Sequence, residues 1–368
     1  MIKAALRNVY HKFMGMRQSY LTHVTYKAEI RNITKKEALY SKVQLTEEQE
    51  KEIKEYWKEI SGYEIPTKWH RLYQSYMGVY EKKYFPEILF STKLEPILSP
   101  AKYHGILSDK GFLTSIFCGG GYRLPETILW NCNGVIIDRE HLIVNDSFAE
   151  ERLSNCGKVI IKPTVDTSSG EGVRLLNMID GVDEITQESA REVLTKYKCN
   201  YIVQECVVQS KLLSKIYAKS LNTFRVITFI CEGSVYHAPV AMRIGSGGSY
   251  VDNIHAGGLC IGITKEYKLR KYAFSEMGDR FEKHPDTNVV FDGYEIAPLK
   301  NVIETAKRLH GLMPQIKMIS WDWSIDQNNV PVMIEINISG QSVWFPQMLN
   351  GEPIFGEHTE YFASLIRE

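Results

Sequence analysis

Ser320-Trp-Asp-Trp-Ser-Ile-Asp326 alternates polar and apolar side chains, and Val330-Pro-Val-Met-Ile-Glu-Ile-Asn337 follows after the turn-forming run Gln327-Asn-Asn329. Period-two alternation marks strands with one face in a core, so the two runs predict an antiparallel hairpin. A turn at Asp326–Asn329 sets Ile325 opposite Val330 and Asp322 opposite Met333. Asp322 then falls diagonal to Glu335, roughly 7–8 Å apart between backbone positions. Glu335 and Asn337 share a face, and Ile334 and Ile336 turn into the core. Two carboxylates and a carboxamide oxygen from adjacent strands form an incomplete shell of hard ligands. Mg²⁺ uses such a shell when nucleotide phosphates supply the rest. Alone, the hairpin fits a solvated polar face equally well.

Upstream, Val159-Ile-Ile-Lys162-Pro-Thr-Val-Asp-Thr-Ser-Ser-Gly170-Glu-Gly172 puts a lysine at the end of an apolar strand, before a Ser/Gly loop. Glycines let backbone N–H groups approach phosphate oxygens, and hydroxyls add donors. The loop is no Walker sequence, because no Gly-Lys-Ser/Thr follows and a strand, not a helix, comes next. Tyr201-Ile-Val-Gln-Glu-Cys-Val-Val208 is an apolar strand interrupted by Gln204-Glu205, able to offer backbone groups to an adenine edge.

Further strands are predicted over 134–138, 141–144, 173–176, 224–230 and 234–243, the last two paired across Cys231-Glu232-Gly233. A helix is predicted over 186–198, with Ala190, Val193, Leu194 and Tyr197 inward, and another from Pro298 to His310. The irregular alternation and antiparallel neighbours indicate an α+β fold. The first hundred residues read as helical and charged. Thr46-Glu-Glu-Gln49 is a capping box, Ile53, Trp57 and Ile60 make a stripe, and Ser61-Gly62 is a stop. Val9, Phe13 and Met16 line one side of a basic opening segment, read as a helix packed on the body of the protein, with a membrane-surface helix as the alternative.

The 368 residues carry 44 Lys+Arg against 44 Asp+Glu, a balance that argues against a dedicated nucleic-acid partner. Seven cysteines without a CxxC pair suit reduced thiols in the cytosol. No run approaches the roughly 18 apolar residues of a membrane span, and no secretory signal is present, so a cytoplasmic location is expected.

The order of lysine and glycine loop, Gln-Glu strand, and Asp…Glu-x-Asn hairpin resembles the ATP-grasp superfamily. Leu107-Ser-Asp-Lys110 and Arg123-Leu-Pro-Glu-Thr127 look like the lead-in to its nucleotide domain. Asn222-Thr-Phe-Arg225, Arg243-Ile-Gly245 and Val251-Asp-Asn-Ile-His-Ala-Gly-Gly258 resemble the sugar-transfer-associated ATP-grasp family. The resemblance implies two α+β lobes clasping ATP. It suggests a helical region over 1–80, a pre-ATP-grasp segment over 81–155, the lobes over 156–350 and a C-terminal helix over 351–368.

It also implies roles. Lys162, Ser168, Ser169, Gly170 and Gly172 would hold the phosphates, Lys110 would contact ATP, and Gln204, Glu205 and Val207 would frame the adenine. Asp322, Glu335 and Asn337 would bind Mg²⁺. Arg225 and Arg243 would stabilise the transferring phosphoryl group. Asn253, His255, Gly257 and Gly258 would contact substrate. No Asp or Glu lies between Cys206 and Cys231 to take the ribose, which leaves Gln209, Lys211 or Glu205. The implied reaction is ATP-dependent carboxylate–amine ligation through an acyl phosphate, on sugar-linked substrates of cell-surface polysaccharide assembly. The alternatives are a small-molecule kinase and a non-catalytic nucleotide- or glycan-binding module.

Overall fold

The computed structural model describes residues 20–117, 120–165 and 170–367, so the opening segment with Val9, Phe13 and Met16, and Ser168 and Ser169, lie outside it. The chain forms two compact units, one of residues up to Ala101 together with Ser339–Glu368, the other Lys102–Ile338.

The first unit is helical. Thr46 Oγ1 accepts from the Gln49 N–H at 3.1 Å and Gln49 Oε1 from the Thr46 N–H at 3.0 Å, closing the capping box of helix Glu47–Ser61. Gly62, at φ 82°, ends that helix in the left-handed region that glycine enters without a Cβ penalty. Trp57 is fully buried and meets Phe85 edge-on, with ring centroids 4.9 Å apart. Gln347 clamps the Phe85 main chain from both sides, at 2.7 and 3.1 Å. The buried Glu87 carboxylate accepts the Val343 and Trp344 N–H groups, each at 3.0 Å.

The second unit holds two antiparallel sheets. The first comprises β1 (Thr127–Cys132), β2 (Val135–Asp138), β3 (Ile143–Val144), β4 (Lys158–Pro163), β5 (Arg174–Ile179), β6 (Val182–Asp183) and β7 (Tyr201–Glu205), in the order β3-β2-β1-β7-β4-β5-β6. Leu129, Val159, Ile161, Leu176 and Val203 point from one face into a core closed by Ala149, Leu153, Val193 and Leu194 of helices Asp146–Ser154 and Ala190–Tyr197. The second helix starts four residues later than the pattern suggests. Ser189 and Glu192 form the capping box there, while Asp183 takes the Thr186 hydroxyl and N–H.

The second sheet comprises β8 (Thr223–Cys231), β9 (Ser234–His237), β10 (Ala241–Ile244), β11 (Leu259–Ile263), β12 (Leu269–Phe274), β13 (Arg280–Phe281), β14 (Met318–Ile325) and β15 (Pro331–Asn337). Its order is β13-β12-β11-β10-β8-β14-β15, with β9 also on β8. The expected single strand over 234–243 is two, separated at Ala238-Pro239-Val240, and both pair with β8. Proline has no N–H for a ladder, which accounts for the break. Helix Leu299–His310 packs on the apolar face, where Phe224, Val226, Met242, Trp321 and Trp323 are fully buried.

The final hairpin forms, but in another register. Ile325 pairs with Pro331 and Trp323 with Met333; one extra residue, Ile334, then bulges, and Asp322 stands directly opposite Glu335. Ile334 is only partly buried, and Met333 takes its place in the core. In a regular ladder Met333 and Glu335 would share a face. The bulge turns Met333 inward and Glu335 outward.

Behind the sheet, Trp321 Nε1 donates to Thr228 Oγ1 at 2.7 Å, Thr228 Oγ1 lies 2.7 Å from His310 Nδ1, and His310 Nε2 lies 2.8 Å from the Ile316 carbonyl. Burial pushes His310 down to about 4 from 6.5, so the folded protein holds it neutral. The unfolded chain therefore binds the extra proton between those values. Stability supplied by this group is complete above pH 6.5 and is lost as pH falls towards 4. Urea unfolding at pH 7 and 4.5 should give a pH-linked loss about 2–3 kcal/mol larger in wild type than in His310→Gln. Equal losses would exclude His310 as the acid-sensitive group.

Candidate functional site

The second sheet's other face carries the charges. Alternation puts Thr223 and Arg225 of β8, Arg243 of β10, Asp322 of β14, and Glu335 and Asn337 of β15 on one side, opposite the tryptophans. Arg225 Nε donates to Asp322 Oδ1 at 2.6 Å and its Nη2 to Oδ2 at 3.1 Å, a two-pronged pair. Arg243 Nη2 lies 3.0 Å from Asp322 Oδ2. Asn337 Nδ2 lies 3.4 Å from Asp322 Oδ2 and 3.5 Å from Glu335 Oε1. Lys110 Nζ stands 3.6 Å from Glu335 Oε2.

Asp322 is fully buried. Burial alone would raise its pKa, but Arg225 and Arg243 outweigh it, and the carboxyl is held below its ordinary value. Arg243 feels the same balance: burial opposes its charge, and Asp322, Asp252 and Glu335 more than restore it. Lys162, at the end of β4, is 8% exposed, and burial pushes it down to about 8 although Glu335 and Asp322 pull the other way; Lys110 adds to the depression. Four cations thus converge on two carboxylates, an excess of positive charge suited to a polyanion. Among the described residues no three His, Cys, Asp or Glu side chains gather as a metal site. A cation would have Asp322, Glu335 and, after rotation of its amide, the Asn337 oxygen. That donor set fits Mg²⁺ with phosphate oxygens completing the shell.

Lys162 and the glycines after it are brought together. Gly172, at φ 71°, lies so close to Pro163 that a Cβ would come within 2.9 Å of its Cγ. The Gly172 carbonyl accepts from the Tyr197 hydroxyl at 2.6 Å, and a Cβ on Gly170 would lie 4.0 Å from Asn253 Nδ2.

The strand read as framing adenine ends earlier than expected. Gln204 and Glu205 lie inside the ladder between β1 and β4, so their main chains are largely engaged. Past Glu205, the Cys206 and Val207 main chains make no backbone–backbone hydrogen bond among the described residues. Glu205 Oε1 accepts from Arg123 Nη1 at 2.7 Å and from the Glu126 N–H at 3.0 Å. Arg123 Nε lies 3.3 Å from Asp326 Oδ2, linking the end of β7 to the end of β14. Gln209 is not placed to hold a ribose. Its amide donates to the Tyr217 and Ser220 carbonyls, both at 2.8 Å, and accepts twice from Asn222, both at 3.0 Å.

The loop after β10 is locally built. Asn253 caps the turn Ile254–Ala256 through the His255 N–H at 3.0 Å, and His255 Nδ1 lies 2.9 Å from Glu276 Oε1. Gly257 turns at φ 89°. A Cβ on Gly258 would sit 2.5 Å from the Asp252 carbonyl and 2.8 Å from that of Asn253. Gly258→Ala should therefore lower stability by about 1–3 kcal/mol in urea titration. A loss under a few tenths would mean the loop yields freely. Sequence reasoning assigned no role to Thr223, Asp252 or Arg123. All three lie within the quoted motifs, but only strand pairing brings Thr223 to Arg243, and only the fold of the loop after β10 brings Asp252 there.

Two antiparallel α+β sheets, with the lysine of one facing the carboxylate hairpin of the other, define the ATP-grasp fold. The model of the sugar-transfer associated ATP-grasp family matches residues 89–361, and the chain belongs to that family. Among solved structures it is similar to the N5-carboxyaminoimidazole ribonucleotide synthetase purK in an ADP complex, with 13% identity, 66% of this chain and 51% of that one covered, and a TM-score of 0.38. It is also similar to the ATP-grasp ligase PsnB complexed with precursor peptide and AMPPNP, with 13% identity, coverages of 73% and 62%, and a TM-score of 0.41. The D-Ala:D-Ser ligase VanG from Enterococcus faecalis follows at 14%, 71%, 61% and 0.40. The chain thus spans between half and two thirds of the length of these structures. No curated protein matches it. Among the described residues, no helix is long and apolar enough to cross a membrane.

Proposed function

We propose that this protein is a Mg²⁺- and ATP-dependent ligase that phosphorylates a carboxylate and joins it to an amine. The observation carrying this reading is the convergence of Lys110, Lys162, Arg225 and Arg243 on Asp322 and Glu335 within a member of the ATP-grasp family. A substrate carboxylate oxygen attacks the γ-phosphorus and ADP leaves. The amine nitrogen then attacks the acyl carbon, phosphate leaves, and the nitrogen gives up a proton. Neither step needs a nucleophilic side chain; the protein holds the anions in line and offsets their repulsion. Mg²⁺, when bound with ATP, would supply charge neutralisation at the phosphates. Lys162 and Lys110 would bind the phosphates from one side, and Arg225 would reach the transferring group from the sheet. The family name supports a sugar-linked carboxylate or amine as substrate.

The test is an ADP-release screen over uronic acids, amino acids and amines, with product analysis. ADP release that requires both an acid and an amine, with an amide as product, is expected. A stable phosphorylated product formed without amine would make the protein a kinase. Absence of Mg²⁺-dependent nucleotide binding would leave a binding module of another kind.

A further inference from the structure

Arg243 reaches two carboxylates at once. Its Nη2 meets Asp322, while its Nε donates to Thr223 Oγ1 at 3.0 Å and lies 3.8 Å from Asp252 Oδ2. Thr223 Oγ1 is in turn hydrogen-bonded to Asp252 Oδ2. A hydroxyl carries one proton, and this one accepts from the arginine, so its own proton is directed at Asp252. Arg243 N–H to Thr223 O–H to Asp252 carboxylate is therefore a one-way chain whose links strengthen one another. The main chain of Asp252 itself is packed against Gly258, where no Cβ fits. Arg225 differs. Its only ion pair among the described residues is with Asp322.

We propose that Asp252, acting through Thr223, is a positioning residue that retains Arg243 when a divalent cation arriving with nucleotide takes the oxygens of Asp322. The inference rests on the nucleotide–metal reading above. A cation on Asp322 would displace the guanidinium donors there, and a partly buried arginine left without a carboxylate is unfavourable. Asp252 supplies the second carboxylate for Arg243. Arg225, lacking one, turns to the phosphates. The two arginines thus separate into a retained and a transferred charge.

The experiment titrates a fluorescent N-methylanthraniloyl ADP into the full chain with MgCl₂ or with EDTA, and Mn²⁺ electron paramagnetic resonance counts bound metal. The readout is the gain in ADP affinity that metal confers. Asp252→Asn should cut that gain about tenfold while leaving the EDTA affinity within about twofold. Thr223→Val breaks the chain without changing charge and should cut the gain about threefold or more, whereas Thr223→Ser should keep it. A wild-type gain in Thr223→Val would overturn the inference, since Asp252 would then act by charge alone. Equal weakening with and without metal would overturn it too, as a purely structural effect. The Thr223 pair decides the matter even if Asp252→Asn does not fold. If the wild-type protein binds ADP equally well with and without Mg²⁺, the underlying nucleotide–metal reading fails instead.

Discussion

Glu335→Gln should leave the protein folded and reduce Mg²⁺-dependent ATP turnover by about 10²–10³-fold, the scale on which loss of one preorganised electrostatic group is felt. Glu335 stands directly opposite Asp322 and is the more accessible of the two carboxylates, with its side chain 27% exposed against 1%. Asp322 is already taken by two arginines, so Glu335 is the carboxylate an incoming cation meets first. Glutamine keeps the shape and removes the charge. Turnover near wild type at limiting Mg²⁺ would exclude Glu335 as a ligand, and unchanged urea midpoints would show that any loss is not unfolding.

The second large effect is expected at Lys162. Lys162→Met should weaken ATP binding about 100-fold and Lys158→Met less than about threefold, because a charge aimed at phosphate in a partly desolvated cleft is worth far more than one in water. Both lysines lie on the same face of β4, but Lys162 is buried beside the glycines while Lys158 is exposed and pairs with Asn177. The burial that holds Lys162 near 8 adds a second signature. Affinity should decline as pH rises through about 8, since the neutral amine no longer offsets phosphate charge, and Lys162→Met should lack that decline. Equal effects of the two substitutions on equilibrium binding would place the phosphates elsewhere.

Much of this site is legible in the sequence because strands write their faces as alternation. Ser320-Trp-Asp-Trp-Ser separates the side chains that fill the core from those that line the site. The α+β class follows from the same patterns. The hairpin register was not legible, because a bulge leaves no local mark. Ile334 looks like any core isoleucine until Trp323 and Met333 are known to oppose each other. Nor could sequence find the link between Arg123, Glu205 and Asp326, whose members are far apart along the chain. Gln209 was a reasonable ribose contact until Asn222 and two carbonyls claimed its amide.

Arg225, Asp322 and Glu335 are register partners on three consecutive strands, β8, β14 and β15. The site is therefore laid out on a grid. Across the strands its spacing is fixed at about 4.8 Å per step by main-chain hydrogen bonds, and along them, outside the bulge at Ile334, a residue returns to the same face only every second position, about 6.8 Å on. Evolution or an engineer can adjust the charges finely only through side-chain length, one carbon at a time. Asp322→Glu and Glu335→Asp are thus displacements on that grid, not conservative changes, and exchanging the two acids would not restore the spacing either one had alone.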